Sequence, residues 1–261
     1  MIWINAAIML GVAIGLIAIT FGIALLRGRY DTIDSAWGLG FAVIALVTFG
    51  ISNGNLVPRL VITALTVIWG VRLSVHIHLR NRGHDEDPRY AAMAEKGGSS
   101  PRRHLFLVYL LQAVLMWVIS FPVQIGQYSA NGLNVFSWLG IVVWFVGVTF
   151  ETVGDAQLRR FRADPASKGR VLDTGLWRYT RHPNYFGDAC VWWGLYLLAC
   201  NTGLGAATIL APLIMTALLA KGSGKPMLEK SLLLRRPGYA DYIRRTSGFI
   251  PLPPKGDPVE G

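Results

Sequence analysis

Long apolar stretches constrain the fold of this chain more than any other feature of its sequence. A helix needs about 20 apolar residues to cross the hydrocarbon core of a bilayer. Seven stretches approach or exceed this length: residues 2–26, 33–51, 56–79, 105–125, 135–153, 185–200 and 204–220. The charged fraction is 15%, whereas soluble domains have about 25%. The sequence therefore predicts an all-α polytopic membrane protein with seven transmembrane helices, forming a single membrane-embedded domain.

The distribution of positive charge predicts the orientation of these helices. The loops at 52–55, 127–134 and 201–203 carry no Lys or Arg, and Arg59 is the one basic residue near that side. The rest of the 25 Lys and Arg residues fall on the opposite side or at helix ends that face it. Cytoplasmic loops are the positively charged ones. We therefore expect an integral membrane protein (of the inner, cytoplasmic membrane if bacterial) with its N-terminus outside, its C-terminus inside and a functional site open to the cytoplasm.

Several ionisable residues lie within the apolar segments or at their ends, which is costly and typical of functional cavities. They are Asp34, Arg72, Glu151, Asp155 and Asp188. A structural ion pair accounts for any one of them. All five together favour a polar cavity, because all lie toward the predicted cytoplasmic side.

Arginines accumulate beside this predicted cavity. Asp155, Arg159 and Arg162 are spaced so that they share one helix face with Glu151. A chain of solvated ion pairs explains Asp155 with Arg159, but not the basic residues that follow, which are Arg170, Arg178, Arg181, His182, Arg244 and Arg245. Because guanidinium groups bind phosphate oxygens in pairs, this pattern indicates a phosphate-bearing ligand. No GxGxxG, P-loop or HExxH motif is present, so helix ends and loops would hold any nucleotide, and no metal site is predicted.

The segment GLWRYTRHPNYFGD at 175–188, with Glu229, Lys230 and the FIP tripeptide at 249–251, resembles the steroid 5α-reductase family. The RHPNY core is shared with isoprenylcysteine carboxyl methyltransferases and sterol reductases. The resemblance is strong over 151–251. It is weaker before that, in the motifs DSAWG at 34–38, WGVRL at 69–73 and EDPRY at 86–90.

The resemblance implies NADPH in a cytoplasm-facing cavity. It implies that residues 1–130 form a slot for the substrate and that 131–252 form the cofactor-binding half, while the Pro- and Gly-rich residues 253–261 are expected to form a loose tail. The implied cofactor contacts are Asp155, Arg159, Arg162, Arg170, Asn184, Tyr185, Asp188, Trp192 and either Arg244 or Arg245.

The resemblance also implies a pair of side chains that grip a ketone oxygen. By position these are Asp34 and Trp69, where the family has Glu and Tyr. An indole N–H donates a hydrogen bond but delivers no proton at ordinary pH. The proton donor is therefore left open among Asp34, Tyr30, His76 and water.

The implied reaction is the NADPH-dependent reduction of the carbon–carbon double bond of a 3-oxo-4-ene steroid or a similar flat lipid enone, so that the chain is an oxidoreductase acting on CH–CH bonds. The expected partners are a small apolar enone and the lipid bilayer, with no nucleic acid and no obligate protein partner. One alternative is a methyltransferase that uses S-adenosylmethionine. Its sulfonium cation makes little use of the arginines, which favours NADPH. A transporter is a further alternative, but no repeated halves with broken helices are visible.

Overall fold

The computed structural model describes residues 1–222 and 225–255, apart from the side chain of Met227, and these residues form helices and loops with no β-strand. The helices are α1 (Ile2–Arg27), α2 (Thr32–Ile51), α3 (Leu56–Asn81), α4 (Pro88–Lys96), α5 (Pro101–Ile119), α6 (Phe121–Gly126), α7 (Val135–Ala163), α8 (Pro183–Ala199), α9 (Gly203–Ala206), α10 (Leu210–Ala220), α11 (Lys225–Arg235) and α12 (Tyr239–Arg245). Short 3-10 turns lie at Pro165–Ser167, Gly175–Arg178 and Ala207–Ile209.

Six helical segments within the described residues are long and apolar enough to cross a membrane, which supports an integral membrane protein. They are α1, α2, α3, Pro101–Gly126, α7 and Gly203–Ala220. The seventh predicted span, 185–200, forms α8. This helix has 17 residues, and it is therefore about 26 Å long at 1.5 Å per residue, slightly less than the hydrocarbon core of about 30 Å.

The chain divides into two compact units. Unit 1 comprises Met1–Trp138 and Leu195–Ala211, and unit 2 comprises Leu139–Gly194 and the chain from Pro212 onward. Unit 1 thus includes the predicted substrate half and also the end of α8 with the turn that follows it. Of the predicted tail, residues 256–261 lie outside the described part of the chain.

In unit 1, helices α2 and α3 approach each other at two glycines. A Cβ atom added to Gly38 would collide with the carbonyl oxygen of Gly70, and one added to Gly70 would collide with that of Gly38. Just beyond this contact, the backbone N–H of Leu39 donates to the Ser74 hydroxyl at 2.9 Å. Small residues let membrane helices approach backbone to backbone, so these glycines define where α2 and α3 cross.

Unit 2 has a similar contact between α7 and α8, repeated at an interval of seven residues. A Cβ at Gly147 would lie 2.6 Å from the carbonyl oxygen of Gly187, and a Cβ at Gly194 would lie 2.6 Å from that of Gly140. The residue numbers rise along one helix as they fall along the other, so the two helices run antiparallel. Seven residues make about two turns, which keeps both contacts on one face.

Candidate functional site

In unit 1, a carboxylate, a phenol and a guanidinium meet at the start of α2. Asp34 accepts a hydrogen bond of 2.6 Å from the Tyr90 hydroxyl. Its other oxygen accepts one of 2.9 Å from Arg89 Nη2. Tyr90 is buried, whereas the Asp34 side chain is 20% exposed and that of Arg89 is 36% exposed. We call Asp34, Arg89 and Tyr90 the acid–phenol cluster.

The local sequence explains how α4 positions two members of this cluster. Asp87 is the N-cap of α4, and its side chain accepts from the backbone N–H of Arg89 at 2.9 Å. Pro88 follows at the first helical position, where its missing N–H and fixed φ are favourable. The Asp-Pro pair therefore fixes where α4 begins and places Arg89 and Tyr90 in its first turn.

The environment of the cluster fixes its charge states. Burial, followed by the charge of Asp34, raises the pKa of Tyr90 well above its usual range. Burial by itself lowers the pKa of Arg89, but its bonds to Asp87 and Asp34 raise it above its usual range. Burial by itself raises the pKa of Asp87, but its hydrogen bonds from Arg89 hold it below its usual range. At neutral pH, Tyr90 is a phenol, Arg89 is a cation and Asp87 is an anion.

The loop before α2 is fixed against the segment before α4. Glu86 accepts a hydrogen bond from the backbone N–H of Tyr30, and the Tyr109 hydroxyl donates to the Tyr30 carbonyl at 2.6 Å. Arg29 pairs with Asp31 at 2.7 Å. The first two contacts use main-chain groups of Tyr30. Together the three contacts hold the loop that precedes Asp34 in place.

Trp69, which we predicted to be the partner of Asp34, lies in the core of unit 1. It is 1% exposed, and its ring lies 5.8 Å from that of Phe41. Its catalytic role stays a prediction. The structure instead brings the Tyr90 hydroxyl to Asp34. Tyr90 belongs to the EDPRY motif, and the helix start at Asp87 and Pro88 is the sequence signal that marks this residue.

All predicted cofactor residues lie in unit 2, and α7 carries the first of them. The common face of Glu151, Asp155, Arg159 and Arg162 is confirmed, because α7 continues without a break to Ala163. Glu151 and Asp155 are buried, at 2% and 8% exposure, while both arginines are exposed. Within the described residues, the side chains of Arg159 and the also exposed Arg170 make no hydrogen bond or ion pair.

The remaining predicted cofactor residues lie in α8 and at the end of α12. The Asn184 side chain accepts from the backbone N–H of Tyr185 at 3.1 Å, and the Tyr185 ring stacks on His182. Asp188 is half-buried, and Trp192 is fully buried. Arg244 pairs with Asp241, and Arg245 lies 3.7 Å from Asp173.

A second arrangement in unit 2 joins the RHPNY segment to the C-terminal segment. Arg181 donates to Glu229 at 2.8 Å and to the carbonyl oxygens of Ile243, at 3.1 Å, and Thr246, at 2.5 Å. His182 Nε2 lies 3.0 Å from the same Glu229 oxygen. We call Arg181, His182 and Glu229 the buried arginine cluster. These partners fix the Arg181 side chain in place, and its interpretation as one of a set of phosphate-binding arginines stays a prediction.

The charges of the buried arginine cluster follow from its contacts. Burial alone raises the pKa of Glu229, but its bonds with His182 and Arg181 hold it at about 2. Burial lowers the pKa of His182 below its usual range. A neutral His182 donates through Nε2 to Glu229. Its bare Nδ1 is buried with no hydrogen-bond partner among the described residues.

The chain matches the family described as "Protein of unknown function (DUF1295)" over residues 20–246. This family is grouped with steroid 5α-reductase-like families, and its description names no reaction. An uncharacterized protein of Schizosaccharomyces pombe is 23% identical over 263 residues, covering 89% of this chain and 76% of that protein. No solved structure matches. Because the family match extends over most of the sequence, the chain belongs to the DUF1295 family.

Proposed function

We propose that this protein uses NADPH to reduce the carbon–carbon double bond of a flat lipid enone such as a 3-oxo-4-ene steroid. The observation that carries the proposal is the hydrogen bond between Tyr90 and Asp34. The proposal includes seven transmembrane helices, an N-terminus outside and a functional site open to the cytoplasm. It is supported by the RHPNY resemblance and by the acid–phenol cluster, which supplies the hydroxyl that Trp69 lacks.

The chemistry needs a hydrogen-bond donor at the ketone. Adding a hydride to the alkene carbon remote from the carbonyl moves negative charge to the ketone oxygen. A phenol that donates to this oxygen lowers the barrier, as donors in an oxyanion hole do. In the proposal, the ketone oxygen replaces Asp34 as acceptor for Tyr90, and the Arg89 cation holds Asp34 beside it. The adjacent carbon then takes up a proton that comes from water, which completes the reduction.

The phosphate groups of NADPH fit the exposed arginines of unit 2. NADPH supplies a hydride when it is bound. Arg159 and Arg170 are exposed cations whose side chains have no partner among the described residues, so both can bind phosphate oxygens. Arg162, on the same face as Arg159, adds a third guanidinium. A sulfonium cofactor would gain nothing from these charges. Arg244 and Arg245 line a cavity with Arg181, and a cofactor role for them stays a prediction.

Cofactor binding to the detergent-purified protein tests the proposal. NADPH, NADH and S-adenosylmethionine are titrated separately while the midpoint of thermal unfolding is followed. A ligand that binds only the native state stabilises it by about 2.7 kcal/mol at a concentration 100 times its Kd. We expect NADPH to raise the midpoint. A rise with S-adenosylmethionine alone would overturn the proposal and favour the methyltransferase.

Two matched double variants distinguish phosphate binding by specific arginines from a nonspecific effect of the protein's positive charge. The first double variant, Arg159→Ala with Arg170→Ala, removes two exposed cations of unit 2. The control, Arg102→Ala with Arg103→Ala, removes two exposed cations of unit 1. We expect the first pair to weaken NADPH binding at least tenfold, since hydrogen bonds to charged groups contribute about 1.5–3 kcal/mol each. The control pair should bind NADPH as the parent does. Equal affinity in both pairs would contradict the phosphate assignment.

A further inference from the structure

A basic cavity lies in unit 2 between the end of α12 and the segment that follows it. Its volume is about 310 Å³, and four of its lining residues are basic while none is acidic. The basic residues are Arg181, Arg244, Arg245 and Lys255. The acidic partners of the two α12 arginines, Asp241 and Asp173, are exposed and are not part of the lining. Glu229, the partner of Arg181, is also outside the lining, so the lining itself carries positive charge only.

Gly248, which lines the cavity, leaves room for two cations beside it. A Cβ atom at this position would collide with Lys225 Nζ and would lie 3.2 Å from Arg181 Nη2. Arg181 itself is 7% exposed and is fixed by Glu229. A buried, immobilised guanidinium is a preorganised anion ligand, since little side-chain entropy is lost when the anion binds.

Exposed aliphatic side chains lie in the same segment as the cavity. Ile250 is 60% exposed and Leu252 is 54% exposed, and Leu252 also lines the cavity. The backbone N–H of Leu252 donates to the Tyr179 carbonyl at 3.0 Å, so this segment is held in place. Lys225 follows by five residues the candidate membrane span that ends at Ala220. Five residues reach at most about 18 Å, so the cavity lies close to the end of a membrane helix.

We propose that this cavity binds the phosphate headgroup of an anionic phospholipid, with Ile250 and Leu252 in contact with the start of its acyl chains. Positive charge fits the phosphodiester, and the adjacent aliphatic residues fit hydrocarbon. A nucleotide would instead need partners for its base and sugar. Basic pockets at the cytoplasmic surface bind anionic headgroups in this way. The inference is independent of the proposed reductase activity.

The test uses the full chain purified in a neutral detergent. Short-chain phosphatidylglycerol and phosphatidylcholine with the same acyl chains are titrated separately, and bound lipid is measured by native mass spectrometry. Phosphatidylglycerol should bind at least tenfold more tightly. Equal affinity for the two lipids would overturn the proposal. Inorganic phosphate and NADPH serve as competitors, and displacement of phosphatidylglycerol by millimolar phosphate or by NADPH would instead make this a free-anion or cofactor site.

Variants of the cavity make the test specific. Lys255→Glu should weaken phosphatidylglycerol binding roughly 25-fold, because each basic charge near the headgroup contributes about fivefold and a reversal counts twice. Lys168→Glu, at an exposed position outside the lining, should have little effect. Leu252→Ser should lower affinity for phosphatidylglycerol while leaving any affinity for inorganic phosphate unchanged. An unchanged lipid affinity in both cavity variants would overturn the proposal, whether or not either variant is less stable.

Discussion

The acid–phenol cluster of unit 1 and the buried arginine cluster of unit 2 each contain an arginine paired with a carboxylate. The two clusters differ in how far these side chains are exposed to solvent. In unit 1, Arg89 is 36% exposed at its side chain and holds Asp34 from one side, while Tyr90 approaches from the other. In unit 2, the Arg181 side chain is 8% exposed and donates to Glu229 and to two carbonyl oxygens.

This difference changes how arginines in a recognised motif are interpreted. The buried arginine joins α12 and α11 to the segment before α8, so losing it leaves a carboxylate and carbonyl groups unpaired. In unit 1, the carboxylate of Asp34 is 20% exposed beside the half-exposed Arg89, whereas the phenol that donates to it is buried. Arg181 of the motif that carries the resemblance thus stabilises the fold of unit 2, whereas Asp34 and Arg89 of unit 1 are partly open to solvent.

The largest expected effect on stability comes from breaking the buried arginine cluster. Arg181→Ala should destabilise the protein by roughly 3–5 kcal/mol, because removing one partner of a buried ion pair leaves the other charge uncompensated. The midpoint of thermal unfolding in detergent measures this. Arg178→Ala, at an exposed position three residues earlier, is the control and should change stability by about 0.5 kcal/mol or less. Similar midpoints for the two variants would remove the contrast between the clusters.

The matching change in unit 1 should affect activity more than stability. Tyr90→Phe keeps the ring and removes one hydroxyl, which should cost about 1 kcal/mol of folding stability. If the proposed reduction is correct, the rate with NADPH and a 3-oxo-4-ene steroid should fall by a factor of about 10²–10⁴. Trp69→Phe, measured in parallel, shows whether Trp69 also acts on the substrate. Full activity of the Tyr90→Phe protein would show that the acid–phenol cluster, like the buried arginine cluster, only stabilises the fold.

Glycine contacts offer a comparison in which the two units should behave alike. Gly38→Ala in unit 1 and Gly147→Ala in unit 2 each place a methyl group against a facing backbone. Each should destabilise by about 1–3 kcal/mol through overpacking. Gly15→Ala in α1 has open space and should be neutral or stabilising by up to about 1 kcal/mol. Thermal unfolding in detergent checks the order, and a destabilised Gly15→Ala protein would contradict the packing argument.

The smallest expected effect is an opposite pH dependence for the two clusters. His182 has a folded pKa below its ordinary 6.5, so the unfolded chain binds a proton first and stability falls as the pH drops below about 6.5. Glu229 adds to this loss as the pH falls from its ordinary 4.5 toward about 2. Tyr90 has a folded pKa above its ordinary 10.0, so stability falls as the pH rises beyond about 10.

Each titrating proton contributes at most about 1.4 kcal/mol per pH unit. Thermal unfolding is therefore compared across pH for the parent protein, His182→Gln and Tyr90→Phe. The first variant should lose the slope that begins as the pH falls below about 6.5, and the second should lose part of the slope above pH 10. Parallel curves for all three proteins would show that these groups do not control the pH dependence.

The membrane helices and the polar face of α7 follow from sequence because each depends on local periodicity. Apolar length alone predicts six segments that the structure shows as long helical segments, and the spacing of Asp155, Arg159 and Arg162 is local to one helix. Asp34 was also identified from sequence, since a carboxylate at the start of an apolar segment is conspicuous.

The partners of these groups did not follow from sequence, because they are distant along the chain. Tyr90 is 56 residues from Asp34, and no local pattern joins them. The role of Arg181 depends on carbonyl oxygens of Ile243 and Thr246, which any residue type supplies. A sequence identifies the side chains that can form hydrogen bonds, but it does not identify which backbone carbonyl groups accept them.

The continuity of α7 has a mechanical consequence. Its 29 residues make a rod about 43 Å long, which exceeds the hydrocarbon core of about 30 Å. Arg162 lies 15 residues, or about 22 Å, beyond the glycine contact at Gly147. A change of 10° in the tilt of the rod about that contact moves Arg162 by about 4 Å. A continuous helix of this length therefore transmits any tilt of its membrane-embedded part to its arginine end, in proportion to the distance between them.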